Sequence, residues 1–120
     1  MKRVMIILYV LLFTQVILFA QKVENKYSEI KINTTAQCKM CKERIEKALA
    51  FEKGIKGSEL DLETKILTVT FKTGKTTSDT IRKAVTKLGY DADDMKKDER
   101  AYNNLPGCCK LPDDPEHLKH

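Results

Sequence analysis

The four cysteines of this chain fall in two pairs, Cys38/Cys41 and Cys108/Cys109. Cys38-Lys39-Met40-Cys41 stands where a strand-like alternation gives way to a helical period, and i,i+3 spacing at a helix start lets two sulfurs face one atom. The unpaired amides and positive dipole end of such a first turn favour thiolate over thiol. Soft thiolates so placed suit Cu(I), which accepts two ligands, and the related soft ions Hg(II), Zn(II) and Cd(II). Metal capture is therefore the expected role of Cys38 and Cys41. Two other readings stay open. One is a structural disulfide, although a four-residue ring closes little chain and stabilises little. The other is thiol-disulfide exchange or redox sensing, for which the Trp-Cys-Gly-Pro-Cys type of surrounding sequence is absent.

Cys108 and Cys109 are adjacent, and neighbouring thiols cannot form a relaxed disulfide without distorting the peptide between them. They are read as a second thiolate site, as cross-links to Cys38/Cys41, or as free thiols. A tail that folded back would bring four sulfurs together, an arrangement that suits a tetrahedral ion better than linear Cu(I). His117 and His120 could add imidazole ligands for Cu(II), Zn or Ni, or simply belong to a frayed terminus. Lys39 and Lys42 could offset the charge of a bis-thiolate complex or be ordinary solvated helix residues. No Ser/His/Asp set or carboxylate pair at helical spacing suggests a catalytic centre, and the only two histidines are terminal, so an enzyme is not expected.

The elements that must hold the first pair can be read from periodicity. From Tyr27 the alternation Ile30, Ile32 predicts a strand to about Thr35. Cys41, Ile45, Ala48 and Leu49 then form one stripe of a helix that ends before Gly54. Leu60 and Leu62 alternate with acidic residues. After a polar turn at Glu63-Thr64-Lys65, Leu67, Val69 and Phe71 alternate with threonines, which predicts a hairpin with one wet face. Thr76 to Asp79 offer caps for a second helix carrying Ile81, Ala84, Val85 and Leu88, with Gly89 as a left-handed stop. A last short strand is expected at Tyr90 to Met95, despite the poor strand propensity of Asp91, Asp93 and Asp94.

The order predicts an α+β, ferredoxin-like split βαβ domain (βαββαβ) over residues 28–95. It comprises a four-stranded antiparallel sheet with two helices on one face. Residues 21–27 read as a linker. Residues 96–120 carry all three prolines and read as an irregular C-terminal tail, packing locally through Tyr102, Leu105 and Leu111 without a core of its own.

Length and charge bound the rest. The chain has 120 residues, enough for one small domain with appendages. Met1-Lys2-Arg3 followed by the apolar run from Val4 has the character of a secretory signal over residues 1–20, with the mature chain starting at Gln21. An uncleaved anchor through residues 4–20 is the alternative. The formal charge of +5 includes Lys2 and Arg3, and without them a mild +3 remains, with the lysines alternating with acids along the chain. No clustered basic face interleaved with aromatics is visible, so nucleic acid is not an expected partner.

Cys38-x-x-Cys41 at a first strand-to-helix loop, together with Leu88-Gly89-Tyr90-Asp91-Ala92, resembles the heavy-metal-associated domain. That family includes copper chaperones, periplasmic mercury-binding proteins and the N-terminal modules of copper-pumping P-type ATPases. The resemblance spans about residues 28–95. It implies that Cys38 and Cys41 bind the ion and pass it on by stepwise ligand exchange, and that Tyr90 lies close to the metal loop. The chain departs from the family's pattern at Thr35-Ala36, where Gly-Met is usual and the Met plugs the core beneath the loop. Met40 is then the candidate substitute plug, or a weak thioether ligand. The expected protein is an exported, periplasmic carrier of Cu(I) or a related thiophilic ion, delivering it to a membrane transporter or another carrier.

Overall fold

The computed structural model describes residues 1–20 and 26–116, with the backbone alone for residues 14–20. The junction at Gln21, most of the 21–27 linker, and His117 and His120 lie outside the described residues.

Helix α1 (Lys2–Ala20) is apolar on every side, and each residue from Val4 to Phe13 is more than half exposed. Over Val4 to Phe13 such a stretch presents apolar side chains to the outside on every face. No helix among the described residues is long and apolar enough to cross a membrane.

The domain begins with β1 (Tyr27–Asn33), followed by α2 (Lys39–Ala50), β2 (Ile55–Leu60), β3 (Ile66–Lys72) and α3 (Ser78–Thr86). The sheet is antiparallel in the order β1-β3-β2, with Ile32 opposite Leu67 and Leu60 opposite Leu67 on the other side. Period-two alternation decides which side chains go in. Ile32, Leu67, Val69 and Phe71 are buried, whereas Thr68 and Thr70 between them stay partly open. Against that face lie the buried stripes Cys41-Ile45-Leu49 of α2 and Ile81-Val85 of α3. Ile45 and Leu49 are fully enclosed. Truncating either to Ala would cost about 2–5 kcal/mol, a large part of the ~5–15 kcal/mol that holds such a domain folded.

A strand boundary differs from the expected one. β2 ends at Leu60, and Leu62 sits in the turn. The Asp61 side chain accepts from Glu63 N at 2.8 Å and Thr64 N at 3.2 Å, so the chain begins to turn at Asp61, and Lys65 completes the turn at φ 61°. Gly57 lies inside β2 beside a bulge.

The expected fourth strand is not formed, and the described sheet has three strands. Around Ala92 only isolated bridges remain, to Thr34 and to Met95. Asp93 takes a left-handed φ of 53°, and its Oδ1 accepts from Asn33 N at 2.9 Å, where a ladder carbonyl would otherwise stand. Its Oδ2 accepts from Arg82 Nε at 2.9 Å. The aspartate thus replaces strand pairing with side-chain bonds, and the reciprocal Ala92–Met95 backbone bonds turn the chain away from the edge.

The tail also differs over its described residues, 96–116: it folds into short helical segments and joins the domain core. Asp98 caps α4 (Glu99–Asn103), its Oδ1 accepting from Ala101 N at 2.8 Å, and a 3₁₀ turn follows at Gly107–Cys109. Tyr102, Leu105 and Cys109 are buried in the same cluster as Ile45 and Val85. Leu111 packs against that cluster while only partly buried. The Tyr102 hydroxyl donates to Asp114 Oδ2 at 2.9 Å and accepts from Leu111 N at 3.0 Å, which ties the tail's two halves together. One aromatic residue with both ends occupied gives a short segment a place in a core it could not build alone.

Candidate metal site

Cys38 is the N-cap of α2, with extended backbone (φ −144°, ψ 171°) and a side chain that makes no capping bond. Its carbonyl accepts the first helical bond, from Lys42 N at 3.1 Å, so the amides of the intervening first turn have no intrahelical partner. Cys41, one turn on, faces inward and is fully buried. The two sulfurs stand 3.2 Å apart, and all four cysteines are free thiols.

The loop before Cys38 is pinned by hydroxyls in place of a Gly-Met pair. Thr34 Oγ1 donates to Lys65 O at 2.9 Å and accepts from Ala36 N at 3.3 Å. Thr35 Oγ1 accepts from Asp91 N at 3.0 Å, and Gln37 Oε1 accepts from Lys65 Nζ at 3.2 Å. Ala36 is fully buried at the position of the plug. Met40 does not fill that role: it is 48% exposed, with Sδ 3.9 Å from the Cys108 Sγ. The side chains of Tyr90, Leu105 and Tyr102 occupy the core instead.

The tail brings the second cysteine pair to the first. Cys108 Sγ and Cys109 Sγ each lie 3.8 Å from Cys38 Sγ, and these three sulfurs lie within 4.8 Å of one another. Cys38 and Cys108 are partly exposed, whereas Cys41 and Cys109 are buried. Burial pushes the Cys109 thiol strongly up, helped by its hydrogen-bond neighbours Cys41 and Cys38 and opposed by Tyr90. In the metal-free protein Cys109 is thus a neutral thiol.

Tyr90 is fully buried. Desolvation first, and then the sulfurs of Cys41 and Cys109, drive its ionisation far above the ordinary tyrosine range. Its hydroxyl has no conventional hydrogen-bond partner among the described residues, and those two sulfurs are the polar groups that act on it. A neutral thiol is a weak acceptor, so the donor stays poorly satisfied until a sulfur becomes thiolate.

Lys42 is not aimed at the sulfurs. Its Nζ donates to Leu60 O at 2.8 Å and pairs with Glu46 at 3.1 Å, fastening α2 to β2. The four cysteines singled out in the sequence, and Tyr90 implied by the family resemblance, lie together in the fold. Sequence reasoning missed the anchoring by Thr34 and Thr35, whose only signal was two hydroxyl residues between a strand and a helix start.

Comparison with known proteins follows this geometry. No curated protein matches the chain significantly. Among solved structures it is similar to the "CopZ metallochaperone", at 26% identity and a TM-score of 0.53 over 54% of this chain and 98% of that one. It is similar to the water-soluble region of the P-type ATPase CopA from Bacillus subtilis at 27% identity and a TM-score of 0.54. That match covers 58% of this chain and 47% of the other. It shares its fold with oxidized MerP from Ralstonia metallidurans CH34, at 24% identity and a TM-score of 0.53, over 56% of this chain and 94% of that one. The heavy-metal-associated domain matches residues 32–91, half of the chain and the whole stretch from Ile32 in β1 to Asp91 beside the loop. The chain belongs to the heavy-metal-associated domain family.

Proposed function

We propose that the protein is an exported carrier of a soft metal ion, Cu(I) or a related thiophilic ion such as Hg(II), Zn(II) or Cd(II), and is not an enzyme. The observation that carries the reading is the pair Cys38 and Cys41, two free sulfurs 3.2 Å apart at the N-terminus of α2. Cys38 is partly exposed and Cys41 buried, so an incoming ligand meets Cys38 first. Transfer then proceeds by replacement of one thiolate at a time, through a three-coordinate intermediate in which the partner's sulfur has joined and Cys38 has not yet left. Each thiol that binds the ion gives up its proton, and each thiolate that leaves takes one back. The unpaired amides of the first turn of α2 stabilise the negative charge that the bound sulfurs carry.

The partner is a membrane metal transporter or another carrier. Similarity to a soluble region of a P-type ATPase and to a metallochaperone supports this reading. Residues 1–20 direct the chain out of the cytoplasm to the periplasm, supported by their basic start and apolar run.

The test is anaerobic titration of the reduced protein with Cu(I) against a competing chelator. Wild type retains the ion and Cys38→Ser/Cys41→Ser loses it. Equal retention by both would refute the reading, and catalysis of insulin reduction by wild type would move it to thiol-disulfide exchange.

A further inference from the structure

The tail places two more sulfurs on the site than the motif requires. Cys108 is partly exposed beside Met40, Cys109 is buried, and both lie 3.8 Å from Cys38. Four thiolates around an ion with bonds of about 2.3 Å form a tetrahedron whose edges are about 3.8 Å. Of the six edges such a site needs, the two from Cys38 to the tail sulfurs already have that length, and Cys38, Cys108 and Cys109 lie within 4.8 Å of one another, whereas Cys41 stands outside that group of three and has to move toward the tail pair to join it. The edge between Cys38 and Cys41, 3.2 Å, needs to open by about half an ångström to fit a tetrahedron of this size. Two-coordinate linear binding by Cys38 and Cys41 alone would set the same two sulfurs about 4.6 Å apart, a much larger opening of a pair held by a helix turn.

This convergence is built by the fold rather than by a loose end. Asp98 N donates to Thr86 O at 3.0 Å and Lys97 N donates to Asp91 Oδ1 at 2.8 Å, so the tail leaves the domain along α3 and the loop that carries Tyr90. Tyr102 and Leu105 are buried in the common core, and Pro106 O accepts from Cys109 N at 2.9 Å to form the turn that presents both sulfurs. The Tyr90 hydroxyl, lacking a conventional partner, is acted on by Cys41 from the motif and Cys109 from the tail.

We infer that Cys38, Cys41, Cys108 and Cys109 form a single four-thiolate site for a divalent d10 ion, Zn(II) or Cd(II), with the tail pair as its third and fourth ligands. The inference rests on the reading of Cys38 and Cys41 as ligands and specifies their cargo. Each thiol that ligates the ion gives up its proton, and the loaded complex has net charge −2. Tyr90 and the first-turn amides of α2 face that charge. The tail also occupies the coordination positions that a partner's thiolates need. In this complex the exchange at Cys38 is preceded by departure of Cys108, the partly exposed member of the tail pair, and the tail competes with the partner for the ion.

The experiment compares full-length wild type, Cys108→Ser and Cys108→Ser/Cys109→Ser, each loaded anaerobically with Cd(II). Sulfur neighbours are counted by X-ray absorption, the ion per chain by native mass spectrometry, and affinity by chelator competition. Wild type should show four sulfurs and one ion per chain, Cys108→Ser three sulfurs, and the double variant two. The double variant should lose at least about a hundredfold in Cd(II) affinity, more than the loss of an outer hydrogen-bond partner produces. Because Cys108 is partly exposed, its serine variant is readable even if a hydroxyl buried in place of the Cys109 thiol harms the fold. Two or three sulfurs in wild type, one ion shared between two chains, or an unchanged affinity in the double variant would overturn the four-thiolate site. If wild type shows only two or three sulfurs around Cd(II) yet retains Cu(I) while Cys38→Ser/Cys41→Ser does not, only the tail's part fails and the carrier reading stands.

Discussion

A Cβ built on Gly89 would lie 2.9 Å from the backbone nitrogen of Tyr102, closer than real side chains stand to backbone. Gly89 has φ 102°, so it ends α3 in a conformation reserved for glycine, and the bare Cα that results is the seat against which α4 docks. The residue that stops one helix thus admits the segment that delivers Cys108 and Cys109.

Gly89→Ala should undock the tail. Both the positive φ and the contact oppose the methyl group, so a loss of at least about 1–3 kcal/mol in stability is expected. Thermal unfolding measures that loss. Alkylation of Cys109 in the native state should accelerate, since its burial depends on the docked tail. Unchanged protection of Cys109 would show that the segment has another way to pack.

Tyr90→Phe separates the two states of the site. In the metal-free protein the hydroxyl is buried without a conventional partner, so its removal should leave stability unchanged or raise it by about 1 kcal/mol. In the loaded protein a thiolate acceptor loses its hydroxyl donor, and affinity for Zn(II) or Cd(II) should fall about tenfold. Melting temperatures recorded with and without the ion test both halves, and a variant weakened equally in both states would assign Tyr90 to packing alone.

The Asp93 carboxyl is held below its ordinary range: burial opposes its charge, but the bonds from Arg82 and Asn33 outweigh that cost. A carboxylate whose ionisation is depressed on folding contributes stability above its unfolded pKa of about 3.9, and the contribution fades as pH falls through the lower folded value. Asp93→Asn, which keeps tolerance for positive φ, should therefore cost about 1 kcal/mol at neutral pH after solvent screening. Urea unfolding of the two proteins should converge as the pH is lowered from about 4 toward 2. A gap that stays constant over that range would exclude the ion pair as its source.

Lys42→Gln should leave metal affinity within about twofold, because the ammonium is engaged with Leu60 O and Glu46 and does not face the sulfurs. The variant should instead loosen α2 from β2, read as faster hydrogen exchange at Leu60 N, which donates to Glu46 Oε1 at 2.9 Å. A large loss of affinity would mean that its charge reaches the bound ion.

The sequence alone determined what depends on short-range pattern. Alternation from Ile30 to Ile32 and from Leu67 to Phe71, and the helical stripe Cys41-Ile45-Leu49, placed strands, the first helix and the sulfur motif, because each period allows one set of side chains to face inward. Gly89 and Thr77 marked ends for the same local reason, Thr77 Oγ1 accepting from Thr80 N at 3.2 Å. Where a long-range bond competed with local preference, only the tertiary structure could decide. Asp93 reached Asn33 sixty residues away and replaced the fourth strand with a bridge. Tyr102 found a core formed by the preceding elements, which turned an apparently irregular tail into an ordered one. Seventy residues separate Cys38 from Cys108, and no spacing rule spans that distance, so their approach to 3.8 Å follows from packing against Gly89 rather than from any motif.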